Sequence, residues 1–127
     1  MPEPQDILNR LAEYYRDFST LDLDKITPYF HKPALFIAAG GMGIAADETM
    51  LRSILTRTVD DLRSRNYERS EFILREFRIL NASTCLAQGL AVRYRSGGQE
   101  LERVRLTYVL YLTEDWQIAV MIIEDHD

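Results

Sequence analysis

Two textures divide the chain. As far as about residue 65, apolar residues recur at three- and four-residue steps; beyond Tyr67 they fall into short alternating or continuous runs. Over residues 4–20, Ile7, Leu8, Leu11, Tyr14, Tyr15 and Phe18 form one helical stripe, and Pro4 suits a first turn. The stretch LDLDKITPYF predicts a short second helix capped by Asp22 or Asp24. With Asp24 as the cap, Pro28 takes the fourth helical position, where its missing N–H is no loss. ALFIA reads as a short strand, GGMG as a turn and IAA as a brief return strand. Asp47 then caps a long third helix over about residues 48–65, with Leu51, Ile54, Leu55, Val59 and Leu62 as its apolar stripe.

Four strand-like runs follow: SEFILREFRIL, STCLAQGLAVRYR, QELERVRLTYVLYLT and WQIAVMIIE. Turn residues separate them at Asn81-Ala82, Gly97-Gly98 and Glu114-Asp115, which predicts an antiparallel meander. A two-residue turn at Gly97-Gly98 sets Arg95 opposite Glu100 and Arg93 opposite Glu102, two complementary pairs. Carried inward, that register pairs Ala91 with Val104, Gly89 with Leu106, Ala87 with Tyr108 and Cys85 with Leu110. Small residues then lie beside bulky ones, leaving room above this face. The other face carries Leu86, Leu90, Arg105, Thr107, Val109 and Tyr111, half apolar and half polar, the composition of a subunit interface. A tight turn at Glu114-Asp115 sets Met121 beside Tyr108 and Ala119 beside Leu110, and adds Val120 and Ile122 to the second face. The last strand is apolar on both faces, so both sides of the sheet are expected to be covered, one by helices and one by a second subunit.

Length and composition narrow the field. The 127 residues suit a single domain over 1–127, and 46% apolar with 28% charged residues suits an ordinary soluble one. No window holds eighteen consecutive apolar residues, and the N-terminus lacks the pattern of a secretory signal, so a cytoplasmic place and no membrane partner are expected. The net charge is −5, and arginines interleave with acids, as in RSRNYERSEFILREFR, which argues against nucleic acid. One cysteine and two histidines (Cys85, His31, His126) are too few for a zinc site, and neither metal nor cofactor is expected. Asn81-Ala82-Ser83 has the form of a glycosylation acceptor, which carries no weight without secretion.

Candidate chemistry is sparse. GGMG lacks the Gly-Lys-Ser/Thr ending of a phosphate loop. His31 is placed at the close of the second helix, near the surface, where the helix dipole favours it. Cys85 is expected to pack as a small apolar group. Arg75 shares its alternation face with Ile73, Phe77 and Ile79; if that face looks inward, it is placed to anchor a carboxylate.

The order of elements, with the segment Asp22-Leu23-Asp24-Lys25-Ile26 through Phe30, the strand beginning at Ala34 and Trp116 near the start of the last strand, resembles the nuclear transport factor 2-like superfamily, and within it the SnoaL-like and ketosteroid isomerase-like branch. The resemblance implies an α+β, NTF2-like (cystatin-like) cone. Three N-terminal helices would pack in a strongly bent, mainly antiparallel sheet, with homodimers formed through the outer sheet face. It also implies a pocket inside the cone, taking a small apolar molecule and lined by Tyr14, Phe18, Phe36, Leu55, Phe77, Tyr108 and Met121, with Arg75 as an added contact. An isomerase of this type uses a tyrosine on the first helix, matched here by Tyr14, and an acid on the penultimate long strand, where Tyr108 stands nearest. It uses an aspartate late in the first strand as proton shuttle; Ala38 or Ala39 stands there, and neither carries a proton. Three readings follow: a ligand-binding homodimer; an isomerase, dehydratase or cyclase with Tyr14 and Tyr108 as donors; and an assembly module with a filled cone.

Overall fold

The computed structural model describes residues 3–126, and side chains as far as residue 124, so the His126 side chain lies outside the described set. Helix α1 (Pro4–Phe18) buries Ile7, Leu11, Tyr14, Tyr15 and Phe18, nearly the whole stripe that the spacing predicts. Asp22 rather than Asp24 caps α2 (Leu23–Ile26), accepting the Asp24 backbone N–H at 2.9 Å. A 3₁₀ turn (Thr27–Tyr29) takes Pro28 near its start. Helix α3 (Glu48–Ser64) begins at Asp47, whose carboxylate accepts the Met50 N–H at 2.9 Å.

Six strands form one curved, unclosed sheet: β1 (Phe30–Ala38), β2 (Gly41–Ala45), β3 (Tyr67–Asn81), β4 (Thr84–Arg95), β5 (Glu100–Leu112) and β6 (Trp116–His126). Their order is β2-β1-β6-β5-β4-β3. β1 runs parallel to β6, and the other pairings among the described residues are antiparallel. Helices α1 and α3 bury their stripes with Tyr108, Leu106, Leu110 and Ile118 in one core.

The central register is the expected one. Ala91–Val104, Gly89–Leu106, Ala87–Tyr108 and Cys85–Leu110 pair on one face, and Leu90–Arg105, Gln88–Thr107, Leu86–Val109 and Thr84–Tyr111 on the other. It fails near the hairpin tip. A bulge after Arg93 sets Glu100 opposite Tyr94 instead of Arg95, while Arg93 keeps Glu102. The connection is longer than two residues, because the Arg95 N–H bonds back to the Gln99 carbonyl at 2.9 Å around Gly97 (φ 96°) and Gly98 (φ 86°). A second bulge sets Leu110 opposite Ile118 instead of Ala119, whereas Tyr108–Met121, Val109–Val120 and Thr107–Ile122 stand as expected.

Two further expectations change. GGMG is mostly strand: Ala38 pairs with Gly41, the turn is Ala39-Gly40, and Gly41 to Gly43 lie in β2. His31 lies inside β1 rather than at a helix end, because the strand starts at Phe30. The alternation along β3 also breaks. Leu74 pairs with Gly89 and Glu76 with Gln88, so Arg75 is the extra residue of a bulge. Ile73 therefore faces outward, 41% exposed, while Phe77 and Ile79 face inward beside Ala87 and Cys85.

Candidate functional site

The concave side of the sheet does not meet the helices everywhere. Between α1, α3 and strands β4–β6 it leaves an open cavity of about 580 Å³. Its floor is aromatic and aliphatic. Helix α1 contributes Tyr14, Tyr15 and Phe18; α3 contributes Leu55; the sheet contributes Ala91, Leu106, Tyr108 and Met121. Of the small residues of β4, Ala91 leaves room at this cavity, whereas the space above Gly89 is taken by the Ile73 backbone and the Phe72 ring.

Three phenols meet at this floor. The hydroxyl oxygens of Tyr15 and Tyr108 are 2.5 Å apart, and either can donate. Tyr14 lies edge-on to Tyr108 with ring centroids 6.2 Å apart, and Tyr15 stacks on Phe72 at 5.4 Å. Burial pushes all three hydroxyls well above the ordinary tyrosine value; the Arg93 charge pulls the other way and is weaker. At neutral pH they are therefore neutral. They can donate a hydrogen bond or accept one, but they cannot serve as bases.

The rim is charged. Arg93 reaches Glu102 at 3.4 Å across the β4–β5 pair. Arg65, at the end of α3, also pairs with Glu102, and with Asp61 at 3.1 Å. Arg57 lines the same cavity, and among the described residues it has no hydrogen-bond or ion-pair partner. Arg57, Thr58, Met121 and Ile123 also line a second, adjoining cavity of about 400 Å³, between α3 and the β1–β2 hairpin.

The expected residues divide between these spaces. Tyr14, Phe18, Leu55, Tyr108 and Met121 line the main cavity, and Phe36 lines the second. Phe77 packs against the core and lines neither. Arg75 is exposed at its bulge and lines neither, so its charge is not available to a molecule in the cone. Ala38 and Ala39 are exposed at the hairpin tip, with Ala38 on the wall of the second cavity. His31 lies in a separate cleft with Lys32 and Gln117; its Nδ1 donates to the Pro33 carbonyl at 2.9 Å, and its ring meets Tyr111 edge-on. Cys85 is buried, and burial pushes its thiol up to about 11.

The rim was missed by sequence reasoning. Arg93 and Glu102 served to fix a register, although that register already put them on the inward face with Ala91 and Tyr108. Arg57 stands three residues after Ile54 of the α3 stripe, a spacing that places the two on neighbouring positions of one helix face.

Residues 5–126 match a family model described as NTF2-like protein (DUF6841). No curated protein matches. Among solved structures, an NTF2-like protein of unknown function from Shewanella oneidensis MR-1 has a TM-score of 0.75 at 18% identity, over 95% of this chain and 98% of that one. A protein of unknown function with a cystatin-like fold from Nostoc punctiforme PCC 73102 has a TM-score of 0.72 at 12% identity, over 97% and 90%. A ketosteroid isomerase-like protein from Erwinia carotovora atroseptica SCRI1043 has a TM-score of 0.67 at 12% identity, over 94% and 93%.

Proposed function

The chain belongs to the NTF2-like family DUF6841, and on that footing we propose that it is a small-molecule-binding homodimer that holds an apolar ligand in the cone. One observation carries this reading. A cavity of about 580 Å³ stays open over a mainly aromatic and aliphatic floor in which the Tyr15 and Tyr108 hydroxyls already bond each other, and no fully buried side-chain polar atom among the described residues lacks a partner. The proximity of neutral phenols Tyr14 and Tyr108 keeps a ketosteroid isomerase-like reaction compatible with the fold. Neither Ala38 nor Ala39 has an ionisable group to act as proton shuttle, which favours binding.

The dimer would form through the convex face of β4–β6. Leu86, Leu90, Thr107 and Val109 stand there beside Val120 and Ile122, with Arg105 and Tyr111 exposed at its sides. Such a patch supports burial against a second copy. No described helix is long and apolar enough to cross a membrane, and we place the protein in the cytoplasm, where a lone thiol such as Cys85 stays reduced.

Native mass spectrometry of protein purified from its own host tests both parts. The expected spectrum shows twice the chain mass, with a small molecule released on denaturation. A monomer at micromolar concentration would sink the dimer. An empty dimer that also takes up no added apolar compound would sink the binding role.

A further inference from the structure

The cavity rim carries more positive than negative charge, although the chain as a whole is at −5. Arg57, Arg65 and Arg93 face Asp61 and Glu102. Two of the three guanidiniums are engaged: Arg93 with Glu102, and Arg65 with both carboxylates. Asp61 lies one helical turn beyond Arg57, where an i,i+4 ion pair is geometrically natural, yet it is within 4.0 Å of Arg65 and not of Arg57. Arg57 is thus left as the one rim cation without a partner among the described residues, and it stands at the junction of the two cavities, both of which Thr58 also lines.

We propose that Arg57 is the anchoring residue for an acidic head group, and that the ligand is an amphipathic carboxylate. This rests on the reading that the cone takes a small molecule, and it names the class of that molecule. The body would lie on the floor made by Tyr14, Phe18, Leu106 and Tyr108. An aromatic or alicyclic body suits these edge-presenting rings. The carboxylate would meet the Arg57 fork, whose parallel N–H donors match its two oxygens. A neutral ligand would leave that cation unmatched. A dianion would exceed the one uncompensated charge and meet Asp61 and Glu102.

Isothermal titration with naphthalene-2-acetate and with its neutral amide, naphthalene-2-acetamide, tests the assignment. The two share a ring and differ in charge. The acid is expected to bind at least ~10-fold more tightly than the amide, in line with a charge-assisted contact at a solvent-open rim. Arg57→Gln is expected to bring the acid's affinity down to about that of the amide, and Arg57→Lys to restore part of the preference. Arg57 is exposed, so neither variant should disturb folding, and thermal unfolding serves as the control. Equal affinity for acid and amide overturns the anionic class and leaves the apolar cavity standing. A preference that survives in Arg57→Gln overturns Arg57 as the anchor. Failure of both compounds in a protein that still takes up the neutral dye Nile red overturns the carboxylate; failure of Nile red as well overturns the cavity reading beneath it.

Discussion

Gly89→Ala is expected to destabilise the protein by about 3 kcal/mol, the upper part of the range for overpacking a dense interior. A Cβ at Gly89 would lie against the Ile73 carbonyl oxygen and 2.9 Å from Cζ of Phe72. One obstacle is backbone and the other is an aromatic ring stacked on Tyr15, so neither can swing aside freely. This close approach lies beside the Arg75 bulge, where Leu74 pairs with Gly89. In a chain of this size the loss corresponds to a fall in Tm of about 10 °C. Gly40→Ala and Gly41→Ala are the internal controls, since nothing stands within 4 Å of either added carbon and neither residue has positive φ. Thermal denaturation of the three variants decides the matter. A Gly89→Ala protein as stable as the other two would mean that β3 and β4 do not approach as described.

The phenol cluster sets a second large effect, a steep loss of stability in alkali. Tyr14, Tyr15 and Tyr108 hold their protons in the folded state well above the ordinary value of 10.0, with burial as the leading cause. In the unfolded chain they ionise near 10.0. Below that pH both states are protonated and the contribution is fully present. Above it the unfolded state sheds protons that the native state keeps, so stability falls as pH rises. Each group contributes about 1.4 kcal/mol per pH unit, so the three together give a slope of about 4 kcal/mol per pH unit. Tyr29 adds to this over a narrower window. Burial, then its bond to Asp17 at 2.5 Å, pushes it up to about 12, where its share ends. Absorbance at 295 nm against pH, read beside circular dichroism, should show the cluster ionising together with unfolding. Ionisation of all the tyrosines near pH 10 with the fold intact would show that the floor is open to water.

Much of the frame was legible because it rests on strong local signals. The α1 stripe, the Asp47 cap and the pairing of small with bulky residues on β4 and β5 each depend on spacing or on side-chain complementarity, which a sequence displays. What escaped shares one cause. A bulge inserts one residue without altering composition, so Arg75 reads as alternating inward when it is turned out, and Arg95 reads as facing Glu100 when it is shifted past it. The β1–β2 hairpin was legible, but its turn was placed too far along the chain. Glycines suggest a turn, but here Gly41 and Gly43 are strand residues without positive φ. The apolar part of the cavity was partly legible: five of its expected residues meet there, with Phe36 next door. The charged rim was not, because an arginine on a helix reads the same whether its neighbour is solvent or a cavity mouth. Only packing of α3 against the sheet separates Arg57 from Arg63.

The cavity's capacity to hold an apolar molecule is best tested by titrating Nile red into the native protein and into two cavity-filling variants, Leu106→Trp and Leu55→Trp. Both residues are buried and line the main cavity, from the sheet and from α3, so each variant closes it from a different side. The dye should bind saturably to the native protein at about one molecule per chain, and at least ~10-fold more weakly to any variant that keeps native circular dichroism. Equal binding by native protein and correctly folded variants would place the dye elsewhere and contradict the account.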